Sequence, residues 1–346
     1  MPFVDADYPA APYPGTRPDR SFVHDEGTGW EVTAATPWHW TVDGVDLDDW
    51  LTERGAEPLA ARVPVLTYGS NANPAKISWL RATLGLTGPV VVLRVRCTGL
   101  AAAWATHLRV VDDQRPATLV AEPGRVEWHA VWLATPDQVR VLDVCEGRGE
   151  RYRLVRLASG TMTTEDGTEL DDVLAYTAAG DLRAPLLVDG KPVRCADVPQ
   201  ADAMTLVGQQ GHDGLDVVPV AGAPVAEDWP DRVFVYGTLR PGDVTWHRMR
   251  RHVIDTPVRT RLPGTLYDTG MGYPALLRQP GEVSGWTVRL RSPARALAEL
   301  DAYESPEYRR VRVVDSTGRL CWTYLWTDPT DGFIRLANGW PAPGAD

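Results

Sequence analysis

The chain has 346 residues, enough for two domains with a core each, and 44% of them are apolar, including 14 Trp, which marks a packed globular protein rather than a disordered one. A net charge of −11 is the wrong sign for a nucleic-acid or anionic-membrane partner. The four cysteines, Cys97, Cys145, Cys195 and Cys321, stand far apart with no zinc-ligand spacing, so free thiols and no metal are expected. The N-terminal stretch has no basic and apolar leader pattern, and no apolar run is long enough to span a bilayer, so a cytoplasmic protein is the expectation.

In chain order, residues 1–59 read as an N-terminal arm, disordered up to Arg20 and then rich in Trp between Trp38 and Trp50. A first domain is expected over 60–207. It opens with a short apolar strand, Val63 to Thr67, that runs into a Tyr-Gly turn at Tyr68-Gly69-Ser70-Asn71. Asn73-Pro74 then supplies a capping side chain and an N1 proline for a helix. Later strands lead to Val126–Ala134, and Thr135-Pro136 opens a second helix that ends at Glu146. Residues 208–230, rich in Gly, Pro and acid and without periodicity, read as a linker. Residues 231–346 form the expected second domain.

That second domain repeats the first. Pro116, Ala117, Leu119, Pro123, Gly124 and Val126 fall on Pro274, Ala275, Leu277, Pro280, Gly281 and Val283, with one residue inserted near Glu122. In this alignment Trp128 stands opposite Gly285. Val65–Gly69 answers to Val233–Gly237, Leu142–Glu146 to Leu300–Glu304, and Tyr152-Arg153 to Tyr308-Arg309. The proline-to-glutamate spacing is 30 in both copies (146 − 116 and 304 − 274). In the second copy Asp243 is the expected opener of the first helix, and Ser292-Pro293 of the second. The fold class expected is α+β: two tandem small mixed β-barrels with peripheral helices.

Two features recur in both copies and carry chemistry. A glycine directly after an apolar strand lets a ligand approach backbone amides, which can hold a carboxylate or an oxyanion. A glutamate at a helix C-terminus is disfavoured by the helix dipole and calls for a reason. The combination resembles the gamma-glutamylcyclotransferase family and its AIG2-like branch. The second copy carries the resemblance most fully, in Tyr236-Gly237-Thr238-Leu239-Arg240-Pro241-Gly242, Tyr273-Pro274-Ala275-Leu276, Gly285 and Leu300-Asp301-Ala302-Tyr303-Glu304 with Tyr308-Arg309. The first copy follows the YGSN form. It departs at Cys145, where the family has an aromatic residue, and at Trp128; the second departs at Ser305.

The resemblance implies a substrate and a role for each residue. The α-amine of a gamma-glutamyl compound attacks its own γ-carbonyl, closing 5-oxoproline and releasing an amine or amino acid. Glu304 and Glu146 are the implied general acid/bases. Tyr236, Gly237, Thr238, Leu239, Tyr273 and Tyr308, with Tyr68, Gly69, Ser70, Asn71 and Tyr152 in the first copy, are the implied substrate-binding residues. No cofactor is implied. The partner is a small gamma-glutamyl compound, and the second copy is expected to matter more. A non-catalytic module binding a gamma-glutamyl-like or acidic ligand is the alternative, and a different lyase or transferase on such a group is the third reading.

Overall fold

A computed structural model describes residues 2–337 and 339–340. The chain divides into two compact units, Met1–Pro224 and Val225–Asp346. Both combine mixed sheets with few, short helices, an α+β composition.

In the first unit the Val63–Thr67 strand forms as expected and is buried along its whole length. It lies between the parallel Leu174–Ala178 strand and the antiparallel Ala117–Ala134 strand. Outward from these come Tyr152–Leu157 on one side and Val90–Trp104 on the other. In the second unit Arg232–Val235 takes the central place, between the parallel Leu320–Trp326 and the antiparallel Pro274–Arg289. Tyr308–Val314 and Val258–Asp268 then flank these. The same five strands, in the same order and with the same one parallel pairing, thus occur in each unit. The second sheet carries its core on one face, through Phe234, Leu262, Leu266, Leu276, Val283, Val311 and Cys321. Among the described residues its strand path is open, ending on Tyr308–Val314 at one side and on the three-residue Ile334–Leu336 at the other, a half-barrel rather than the closed one expected.

The first helix of the first unit, Pro74–Leu84, starts where expected, with Asn73 Oδ1 accepting from the Lys76 amide at 2.8 Å. Its second helix, Pro136–Glu146, has a full capping box between Thr135 and Gln138 and ends on Gly147 in the left-handed region. The second unit departs from expectation at both helices. Its first is only Trp246–Arg250, with no side-chain cap; Asp243 instead bonds the Val244 amide and pairs with Arg240. Its second, Pro293–Asp301, stops short of Glu304, which is held one step further on by its amide bonding to the Leu300 carbonyl at 2.8 Å.

The N-terminal 59 residues are built into the first unit rather than standing apart as an arm. Phe22–Asp25 pairs with Val90–Trp104, and Thr28–Thr36 and His39–Val42 extend the sheet beyond it. Ahead of these strands, Asn73 Nδ2 donates to the carbonyls of Tyr8, Pro9 and Thr16, and Tyr13 is buried. Bonds made to a long-range side chain are invisible in a composition that reads as disordered. Residues 208–230 are likewise not bare linker, because Gln209–Gln210 pairs with Leu186–Val188 and Val217–Pro219 with Tyr152–Leu157.

The strands also correct the alignment of the two copies. Thr67 pairs with Ala130 and Val235 with Trp286, so one residue further back His129, not Trp128, occupies the place of Gly285. The neighbouring strand agrees, since Val95 faces His129 and Thr260 faces Gly285. Trp128 points outward, half-exposed, with the Arg94 guanidinium 4.0 Å above its ring. It does not fill a cleft. Gly285 has a packing reason of its own: a Cβ there would lie 2.4 Å from Phe234 Cζ and 2.5 Å from the Val235 carbonyl oxygen. Gly285→Ala is therefore expected to destabilise the second unit by about 1–3 kcal/mol, the usual penalty for overpacking, as read from the midpoint of urea unfolding.

Candidate active site

Beyond the Arg232–Val235 strand, the turn at Gly237 is closed by the Arg240 amide bonding to the Gly237 carbonyl at 3.1 Å. Glycine is required there because a Cβ would stand 2.9 Å from the ring of Pro274. This turn forms one wall of a half-open cavity of about 400 Å³. Tyr273 and Pro274 form a second wall, and Tyr303, Glu304, Ser305 and Tyr308 a third. All six second-copy residues expected to bind substrate, and Glu304, line this one cavity. Val244, Thr245 and Tyr324 line it too, and no motif or repeat position singles them out.

Tyrosine hydroxyls fix the walls. Tyr236 Oη donates to the Tyr324 carbonyl at 2.7 Å, and Tyr308 Oη to the Pro274 carbonyl at 2.8 Å. The Tyr308 ring is held edge-on by Trp326. Tyr324 Oη in turn donates to Asp301 Oδ1 at 2.7 Å, and Arg310 forks onto the same carboxylate. Asp301 precedes Glu304 by one helical turn, so these bonds set the end of the helix from which Glu304 reaches the cavity.

Burial among these rings pushes the Glu304 carboxyl up from its ordinary 4.5 to about 7, and the nearby Asp301 charge adds to the rise. A carboxyl poised near neutrality can both take and return a proton. Among the described residues no group of three His, Cys, Asp or Glu side chains could hold a metal ion, and no helix is long and apolar enough to cross a membrane.

The first unit repeats the framework with different furniture. Tyr68 Oη donates to the Tyr176 carbonyl at 2.5 Å, Tyr152 Oη to the Ala117 carbonyl at 2.7 Å, and Tyr176 Oη to Asp143 Oδ1 at 2.6 Å. Asn71 Nδ2 donates to Glu146 Oε1 at 2.7 Å, so the turn and the glutamate are in direct contact. Burial again raises the Glu146 carboxyl, opposed by the Asn71 bond and by the charges of Lys76, Arg151 and Arg183. Gly69 and Ser70 belong to the same turn, and a Cβ on Gly69 would come within 2.7 Å of the Tyr13 hydroxyl. That hydroxyl accepts the Ala117 amide at 3.0 Å. Tyr13 lies outside the repeat in a Pro-rich stretch, so comparing the copies could not find it. Arg151 could have been found, since the second copy has no arginine between its glutamate and Tyr308.

The family match falls on the unit with the aromatic cavity. Residues 233–341 match the family described as gamma-glutamyl cyclotransferase, AIG2-like. A curated relative, the gamma-L-glutamyl-butirosin B gamma-glutamyl cyclotransferase of Niallia circulans, is 33% identical over 103 residues. That match covers 27% of this chain and 65% of the relative, so less than two thirds of the relative's length is spanned. Among solved structures, an AIG2-like protein from Mus musculus is 23% identical over 31% of this chain and 86% of its own, with a TM-score of 0.28. An uncharacterised protein from Pyrococcus horikoshii is 20% identical over 31% of this chain and 85% of its own, at 0.27.

Proposed function

We propose that the chain is a gamma-glutamyl cyclotransferase-type enzyme, converting a gamma-glutamyl compound to 5-oxoproline with release of an amine or amino acid, and that its two units are copies of one cyclotransferase-like domain. The observation that carries the reading is the placement of Glu304. Its carboxyl, raised to about 7, faces the Tyr236–Leu239 turn across a small aromatic cavity, inside the segment that matches the family.

The chemistry follows from that placement. Folding the gamma-glutamyl group in a cavity makes attack of the α-amine on the γ-carbonyl intramolecular, which supplies about 7 kcal/mol or more in favourable cases. An ammonium near 8 is a full 3.5 units above an ordinary carboxylate, and a carboxylate at about 7 narrows that gap to about one unit, ~1.4 kcal/mol. Glu304 then takes the ammonium proton, the new C–N bond closes the five-membered ring, and the same carboxylic acid returns that proton to the departing nitrogen as the old C–N bond breaks; the ring nitrogen gives up its second proton to the released amine through the regenerated carboxylate. In this reading the turn amides receive the developing oxyanion or the substrate carboxylate. The shared strand order and the paired Tyr-to-carbonyl and Tyr-to-Asp bonds of the two units support the duplication. Intramolecular acyl transfer of this kind needs only proton transfer, so the reading invokes no cofactor.

The test is incubation of the purified chain with gamma-glutamyl amines and gamma-glutamyl amino acids, following 5-oxoproline. Release above the uncatalysed rate is expected with at least one of the two classes; its absence with every member of both would sink the reading.

A further inference from the structure

One strand residue reaches both sides of the Glu304 cavity. Tyr324, in Leu320–Trp326, lines the cavity and makes bonds in two directions. Its carbonyl accepts from the hydroxyl of Tyr236, which opens the turn, at 2.7 Å. Its own hydroxyl donates at 2.7 Å to Asp301 Oδ1, on the last residue of the helix ahead of Glu304. The turn wall and the glutamate wall are thereby clasped to one side chain and its own backbone. The first unit makes the same clasp: Tyr176 takes the Tyr68 hydroxyl on its carbonyl and gives its own to Asp143. The residues beside the two tyrosines differ, Ala175 and Thr177 against Thr323 and Leu325.

The second unit leans on the clasp harder. In the first, Asn71 of the turn bonds Glu146 directly. Leu239 stands at that place in the second unit, and its side chain has no donor to offer Glu304. The charges that face Glu304 are also few. Asp301 is on its own helix, and Arg310 of Tyr308–Val314 forks onto that carboxylate at 2.9 and 3.0 Å. The other side chains lining the cavity are uncharged.

We propose that Tyr324 is the positioning residue of the Glu304 site: by holding Asp301 on one side and Tyr236 on the other, it sets the gap between the carboxylate and the turn. Its role is indirect, since the phenol proton is committed to Asp301. The effect on turnover rests on the cyclotransferase reading; the effect on where the carboxylate sits does not.

Tyr324→Phe removes the bond to Asp301 and keeps both the ring and the carbonyl that receives Tyr236. In a chain carrying Glu146→Gln, it is expected to lower kcat for 5-oxoproline release about 10-fold, with KM changed less than about 2-fold. The acid limb of kcat/KM should move from about 7 toward 4.5 by about half a unit or more, because a carboxylate let out of its place meets more water. A merely structural fault lowers the amount of active protein and leaves the limb where it was. The displacement is also read without turnover. Glu304→Gln is expected to raise the urea midpoint at pH 8, and that rise should shrink by about half or more when Tyr324→Phe is already present. In this cycle of four chains the structural cost of losing the phenol cancels. Should circular dichroism show that Tyr324→Phe does not fold, Tyr236→Phe cuts the other arm of the clasp without changing a charge and is read through the same cycle. An acid limb that stays in place, or an undiminished rise in the cycle, overturns the proposal. If the unmodified chain releases no 5-oxoproline, the cyclotransferase reading fails and the cycle alone decides the placement.

Discussion

Glu304→Gln, made in a chain that already carries Glu146→Gln so that one carboxylate reports, is expected to lower kcat/KM for 5-oxoproline release by about 10²–10⁴-fold. That is the range general acid–base catalysis supplies, and Gln keeps the shape of the side chain while losing the base. With Glu304 present, the ionised form is the active one, so kcat/KM should climb about tenfold per pH unit up to about 7 and then level off. The Gln variant should show no inflection there. An undiminished rate in the double variant, or a pH profile with its acid limb near 4.5, would remove Glu304 from the mechanism.

The same carboxyl is expected to cost the fold what it contributes to chemistry. Its folded value, about 7, lies above the 4.5 of the unfolded chain, so the native state binds more protons between those limits. Stability must therefore fall as pH rises from about 4.5 to about 7, and the loss levels off above that. The size is roughly 2.5 units, ~3 kcal/mol at most, since Glu304 keeps some contact with solvent. Glu304→Gln should thus unfold at higher urea than the unmodified chain at pH 8 and at nearly the same urea at pH 4. If the variant is no more stable at pH 8, the carboxylate is not confined as the cavity walls imply.

Much of this was readable before any coordinates. Val63–Thr67 and Arg232–Val235 are strands to the residue, and the Thr135-Pro136 cap sits where its letters place it, because short-range rules govern them. Glu146 bonds to Asn71 of its own turn, and Glu304 lines one cavity with Gly237 of its own. The misreading of Trp128 against Gly285 has a specific cause. Pro136 and Pro293 align by letter, but the second unit holds an extra residue just before its helix, with Ser292 in the left-handed region at φ 54°. Matching the prolines slips the preceding strands by one, and a slip of one moves a side chain to the opposite face of a sheet. Tyr13 and Arg183 were hidden for a different reason. Each reaches its site across a long stretch of chain, and nothing local to either residue records what it will meet.

The Tyr324–Asp301 and Tyr176–Asp143 bonds have a consequence for how such a chain can diverge. Each anchors the last turn of a helix three residues ahead of a glutamate, and each is closed within its own unit. Holding the carboxylate in place is thereby separated from setting its surroundings. If the two units are copies of one domain, as proposed, the surroundings of one glutamate can change, with cations near Glu146 and rings near Glu304, without disturbing the scaffold of either. The frame that places each carboxylate is thus kept apart from the residues that set its charge environment.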